Sequence, residues 1–188
     1  MKPPICDSVF DVAFWLIDRA LDDGEYLQPQ KLQRLLFLAQ AYYAVMSRGD
    51  MLMPCLFIAS GMGPLEPSSW RAFEHGRPKV DYQKIPPEVQ PFLDSLWRKF
   101  SPHSAEYLNK LVCSHPPYQD AFAQGRRALI PLEAMVAYYG RKPTQNEQSL
   151  KAAPPIDRVL RPRVMRSQTG KPVNVTSWTP GRKTPPAS

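Results

Sequence analysis

Two helices are predicted in the first fifty residues from the spacing of apolar positions. The first follows Ser8, with Asp11 three residues later as in a capping box, where the two side chains bind free backbone N–H groups. Its apolar positions recur every three or four residues as far as Gly24, which predicts one buried face. The second begins at Pro29, runs to about Ser47 and is apolar on nearly every side. It must therefore be covered on two sides, by the rest of the domain or by a partner.

Four polar side chains interrupt this second helix: Lys31, Gln33, Arg34 and Gln40. The two glutamines are seven residues apart and so lie almost in line at the edge of the apolar face. A buried amide needs hydrogen-bond partners. We therefore expect this pair to hold a neighbouring loop or strand in place.

The remaining pattern predicts short elements separated by proline and glycine. In order, these are an extended segment from Cys55 to Ser60, a turn at Gly63-Pro64, a short helix from Pro67 to Gly76, a long helix from Pro86 to Phe100, a helix capped by Ser104 that stops before Pro116-Pro117, and a helix from Pro131 to Tyr139. No internal repeat is present. The fold class is therefore mainly α: residues 1–140 form a compact domain of about five to seven helices with a small β element.

The excess of positive over negative charge lies entirely in the C-terminal part of the chain. Residues 1–140 carry 14 Lys and Arg against 15 Asp and Glu, whereas residues 141–188 carry 10 against 2, together with eight prolines and few large apolar side chains. Such a composition buries too little apolar area to offset the entropy of ordering, so a mostly disordered tail is expected, with a short ordered piece allowed around 156–165.

The role of the basic tail has two interpretations. Its basic side chains could neutralise nucleic-acid phosphates in a salt-dependent, sequence-blind way, or the segment could be a solvated extension or an arm that orders on a protein partner. The candidate contacts for nucleic acid are Arg158, Arg161, Arg163, Arg166 and Lys171.

Few residues suggest chemistry. Three widely spaced cysteines are typical of free thiols in a reducing compartment, and without an apolar stretch of membrane-spanning length we expect a cytoplasmic protein. Cys113, His115 and His103 lack the spacing of a metal site, and His115 before proline suggests a helix-end residue that interacts with terminal carbonyls. Ser60 lacks the glycine pattern of a nucleophile elbow. No metal, cofactor or catalytic activity is predicted.

Ordered blocks of sequence carry a family resemblance. They are L-Q-P-Q-K-L-Q-R-L-L-F-L-A-Q-A-Y-Y, F-I-A-S-G-M-G-P-L-E-P-S-S-W-R-A-F, F-L-D-S-L-W-R-K-F-S, S-A-E-Y-L-N-K-L-V-C-S-H-P-P-Y-Q-D-A and I-P-L-E-A-M-V-A-Y-Y. Together they resemble the Panacea domain of SocA-like antitoxins and phage-associated proteins, from about Val9 to Tyr139. The tail lies outside the resemblance.

The resemblance implies a non-enzymatic antitoxin that binds and neutralises a cognate protein toxin, in one known case by delivering it to a cytoplasmic protease. A nucleic-acid-associated regulator that uses the tail is the alternative. The positions expected to contact the partner, most of them matches to the family's motifs, are Lys31, Gln33, Phe37, Gln40, Gly63, Pro64, Trp70, Phe73, His115 and Tyr118. Periodicity does not assign all of Phe37, Leu38, Tyr42, Tyr43, Trp70 and Trp97 to one core face, so each is either a core residue or an exposed interface anchor, a role typical of exposed aromatic side chains.

Overall fold

The computed structural model describes residues 2–141 and 152–160, together with the backbone of two short strands further along the tail. The described helices are α1 (Val9–Asp22), α2 (Pro29–Met46), α3 (Pro67–Phe73), α4 (Gln90–Phe100), α5 (Ala105–Cys113), α6 (Pro116–Gln124), α7 (Leu132–Tyr139) and α8 (Ile156–Val159). The strands are β1 (Phe57–Ser60), β2 (Gly63–Leu65), β3 (Leu129–Ile130), β4 (Met165–Arg166) and β5 (Pro172–Val173). The prediction of a mainly helical fold with a small β element is confirmed. No described helix has the length and apolar character needed to cross a membrane.

Helix α2 is the centre of the domain. Its neighbours are α1, α3, α4, α5, α7, α8 and β2, and every residue from 32 to 44 is buried. The apolar side chains on all sides of this helix therefore pack against other elements of the same domain. Phe37, for example, packs edge-on against Phe57 and Tyr139.

The predicted capping box at the start of α1 is confirmed. The backbone N–H of Ser8 donates to Asp11 Oδ2 at 2.8 Å, and Ser8 Oγ accepts from the N–H of Phe10. Asp11 also accepts from the N–H of Gln83 at 2.6 Å, so this buried carboxylate fixes a connecting segment as well as the helix start.

Helix α6 was not predicted from the sequence, because Pro116-Pro117 was interpreted only as the end of the preceding helix. The prolines do follow the end of α5, but they also occupy the first turn of α6. Proline is tolerated there because a first-turn N–H has no partner within the helix. Pro86-Pro87, by contrast, precedes α4, which begins only at Gln90.

Strands β1, β2 and β3 form an antiparallel sheet in the order β2-β1-β3. Ile58 on β1 pairs with Leu65 on one side and Leu129 on the other, so these three residues share the outer face. The inner face carries buried Phe57 and Ala59 and packs on the helices.

A piece of the C-terminal segment also belongs to the domain. Helix α8 contacts α2 and α4, Val159 is buried, and Tyr42 Oη donates to the carbonyl of Pro154 at 2.6 Å. This helix falls in the stretch where a short ordered piece was allowed. The tail's predicted disorder otherwise lies outside the described residues, as do Arg161, Arg163 and Lys171, whereas Arg166 is described only as backbone of β4.

Candidate functional site

A buried arginine organises the β1–β2 hairpin. Arg34 is 2% exposed, and its guanidinium donates to the carbonyls of Met62 and Pro64 and, through Nε, to Asn109 Oδ1 at 2.8 Å. Burial lowers the pKa of this guanidinium below its ordinary value. No carboxylate of the described chain forms an ion pair with it, so neutral oxygen acceptors alone hold this charge. The arginine thereby joins α2, the hairpin and α5.

Gly63 lies directly against this guanidinium. Its φ is +105°, and a β-carbon built there would lie 2.6 Å from Arg34 Nη2 and 2.4 Å from Asn109 Oδ1. Glycine is needed for both reasons, because other residues rarely adopt such a φ and have a β-carbon that would clash.

The prediction that the two glutamines of α2 hold neighbouring segments in place is confirmed. Gln33 Oε1 accepts from the N–H of Glu66 at 2.8 Å, and its Nε2 donates to Ser69 Oγ at 2.9 Å, which fixes the start of α3. Gln40 Oε1 accepts from the N–H of Met53 at 3.2 Å, whereas its buried Nε2 has no partner among the described residues.

The hairpin is held on its other flank by α6. Tyr118 Oη donates to the carbonyl of Ser60 at 2.7 Å, and burial raises the pKa of this tyrosine to about 12. Cys113 lies nearby with its Sγ 3.5 Å from Asn109 Oδ1. Burial raises the pKa of its thiol and Arg34 opposes this shift, so the thiol stays protonated at neutral pH.

A groove of about 500 Å³ crosses the outer face of the sheet, and we call it the sheet groove. Its lining residues are Ile58, Ser60, Met62, Leu65, Pro67, Trp70, Arg71, Glu74 and Arg127. The sheet and Trp70 supply the apolar surface, and the three charged side chains come from α3 and from the turn before β3. The groove therefore combines an apolar floor with charged walls.

The structure brings five of the predicted partner-contact residues together around the hairpin: Gln33, Gly63, Pro64, Trp70 and Tyr118. Only Trp70 among them is partly exposed. The other four support the hairpin from inside, so a partner on this side would meet the outer residues that they position.

The other five predicted contacts lie elsewhere. Phe37, Gln40, Phe73 and His115 are buried, and Lys31, in the first turn of α2, donates to the carbonyl of Ser101 at 2.7 Å. Of the two alternatives for Tyr42, Tyr43 and Trp97, core residue or exposed interface anchor, the structure supports the first, because all three lie in the core. Periodicity alone could not assign them, since α2 is surrounded on all sides.

The histidines and cysteine considered as metal ligands are not gathered into one site. The His115 ring lies in the interior with Nδ1 2.8 Å from Tyr139 Oη, whereas His103 stacks on Tyr107. His115 is the residue before the first turn of α6, and its side chain faces the tyrosines of α7. Across the described residues, no three His, Cys, Asp or Glu side chains lie close enough to hold a metal ion.

Four residues that hold the hairpin or line the sheet groove were not assigned a role from the sequence: Arg34, Arg71, Asn109 and Arg127. Arg34 carried a signal, since a charged residue beside Gln33 in an otherwise apolar helix must be buried with partners. The others had none, because single polar residues on short elements are usual at protein surfaces.

Comparisons with known proteins leave the resemblance to the Panacea domain as an expectation. No protein-family model matches the chain, and no curated protein or solved structure matches it either.

Proposed function

We propose that this protein is a cytoplasmic, non-enzymatic antitoxin that neutralises a cognate protein toxin by direct binding. The supporting observation is a set of exposed apolar side chains at the sheet: Leu56 and Leu129, 65% and 55% exposed, line one groove together, and Met62, 44% exposed, lines the sheet groove. Exposed apolar groups gathered in one place and bordered by polar residues are typical of protein interaction sites. The motif that resembles the second block of the Panacea domain forms part of this surface.

Neutralisation can follow two routes that differ in the fate of the toxin. Simple masking leaves the bound toxin intact, whereas delivery to a protease shortens its lifetime. The half-life of a tagged toxin, followed after translation is stopped in cells with and without the protein, separates the two. A stable toxin in a stable complex favours masking.

The first experiment is co-expression of the protein with the product of the adjacent gene, scored by growth rescue and by co-purification. Leu129→Asp should abolish both, because it places a carboxylate on the apolar outer face. Leu21→Asp is the matched control, since Leu21 is similarly exposed, at 59%, on α1. Loss of rescue in the control as well would mean that the effect of Leu129→Asp is not specific to this face, and rescue retained by Leu129→Asp would mean that rescue does not depend on this face.

Absence of both rescue and complex with the unmodified chain would contradict the antitoxin proposal. DNA binding that falls steeply with salt and is lost when residues 161–188 are removed would instead favour the regulator that uses the tail. Of the five basic residues proposed for that role, Arg158 is the one whose side chain is described, and it is exposed on α8.

A further inference from the structure

Two arginines border the sheet groove. Arg71 belongs to α3 and Arg127 to the turn before β3, and both are exposed. Neither forms an ion pair with any described residue. Glu74, the residue that follows α3, also lines the groove and forms no ion pair with any described residue. Two guanidinium groups from separate elements therefore face one apolar groove.

The backbone at Arg127 is held in an unusual conformation. Its φ is +72°, in the left-handed region that residues other than glycine rarely adopt. The turn is fixed by two hydrogen bonds to β1: Arg127 N–H donates to the carbonyl of Ala59, and Ala59 N–H donates to the carbonyl of Ala128, both at 2.8 Å. Such strain persists where the surrounding structure enforces it, and it is concentrated at binding sites.

The floor of the groove is apolar and formed in advance. Ile58 and Leu65 are paired across β1 and β2, and Trp70 and Met62 extend the surface to either side. Arg34 and Gln33 fix the hairpin and α3 from below, so the floor has little freedom to collapse. A preformed site of this kind loses less entropy on binding than a flexible one.

We propose that the sheet groove binds a short segment of a partner protein in which acidic side chains flank a large apolar one. The apolar side chain would displace water from the floor, and carboxylates would form charge-assisted, bidentate hydrogen bonds with Arg71 and Arg127. Glu74 limits the negative charge that the groove accepts: a short segment can hold its few carboxylates against the two arginines and away from Glu74, whereas a continuous run of phosphates could not. The inference names the partner chemistry of the proposed function and rests on it.

The first test selects ligands without assuming the identity of the partner. Random peptides of about 12 residues displayed on phage are selected on the immobilised full chain, and enriched peptides are synthesised with a fluorescent label. We expect enriched sequences in which Asp or Glu lies within a few positions of Leu, Met, Phe or Trp. No enrichment, or enrichment of sequences without acidic residues, would overturn the inference.

Paired variants then locate the binding. Arg71→Glu with Arg127→Glu should weaken peptide binding, measured by fluorescence anisotropy, about tenfold or more, because two attractive charges become repulsive. Arg98→Glu with Arg126→Glu is the matched control: it changes net charge equally at exposed positions that do not line the groove. Equal weakening in both pairs, or displacement of the peptide by an unlabelled oligonucleotide, would count against a peptide groove.

Growth rescue distinguishes failure of the inference about the sheet groove from failure of the antitoxin proposal. If the Arg71 and Arg127 double variant retains full growth rescue, the inference that the sheet groove binds the partner is overturned, and the antitoxin role is unaffected. Groove-dependent peptide binding without rescue or complex from the adjacent gene product would support the groove and contradict the antitoxin role.

Discussion

A β-carbon at residue 63 would lie 2.4 Å from Oδ1 of Asn109, an atom on a helix 46 positions further along the chain. The hairpin backbone thus approaches α5 as closely as glycine allows. This contact is possible because Arg34 lies between the two elements and bonds to both.

We therefore predict that Gly63→Ala lowers the free energy of unfolding by about 3 kcal/mol, from backbone strain at positive φ together with overpacking. Gly49→Ala is the control, because Gly49 has nearly the same φ, +107°, with no atom within 4 Å of an added β-carbon. It should cost only about 1 kcal/mol, the backbone part. Urea denaturation measures the free energy of unfolding of both variants. Equal losses would show that contact of the added β-carbon with Asn109 and Arg34 contributes nothing to the cost.

The two glutamines of α2 should differ in their contribution to stability. Gln33→Leu leaves the N–H of Glu66 and the hydroxyl of Ser69 without their partner and should cost about 2 to 3 kcal/mol. Gln40→Leu loses one longer bond but also removes a buried, unpaired Nε2, so its cost should be about 1 kcal/mol. Chemical denaturation of both variants tests this order. A larger loss for Gln40→Leu would mean that its Nε2 has a partner such as buried water.

Arg127→Gly should raise stability while it weakens peptide binding. Glycine relieves left-handed strain of about 1 kcal/mol, partly offset by greater freedom of the unfolded chain, and it removes one guanidinium from the sheet groove. Arg48→Gly is the matched control, because Arg48 has a φ of +62° and lies outside the groove. It should gain similar thermal stability with unchanged peptide affinity. A loss of stability in Arg127→Gly would show that its side chain supports the fold.

Stability should fall in alkali. Burial raises the pKa of Cys6 from its ordinary value of 9.0 to about 12, and burial also raises the pKa values of Cys55, Tyr42 and Tyr139. Above pH 9.0 the unfolded chain therefore releases protons that the folded chain keeps, and the equilibrium shifts toward unfolding. The stabilisation is complete below this pH and is lost progressively as pH rises toward about 12.

Urea denaturation between about pH 7 and about pH 11 measures this dependence, and Cys6→Ala should give a shallower decline above pH 9.0. A free energy of unfolding that stays constant or rises over this range would contradict the expected effect of burial on these groups.

The sequence predicts most helices well because their apolar spacing and caps are local. Ser8 with Asp11 fixes the start of α1, and the position of Pro29 fixes that of α2, independently of tertiary contacts. Helix α6 shows the limit, since a proline pair is compatible both with the end of one helix and with the start of the next.

The candidate site was less predictable, because it depends on long-range neighbours. Gln33 was identified because a buried amide needs partners, but nothing local indicates that Arg34 meets carbonyls 28 and 30 residues away. The charges of the sheet groove come together only through the pairing of β1 with β3, a strand of two residues that leaves little periodic signal.

The guanidinium of Arg34, which bonds to both the hairpin and α5, couples the opening of these two elements. Releasing either the hairpin or α5 alone would leave a buried charge with an incomplete set of acceptors, which is costly. Transient exposure to solvent should therefore involve both elements at once, and their backbone amides should exchange hydrogen for deuterium as one cooperative unit.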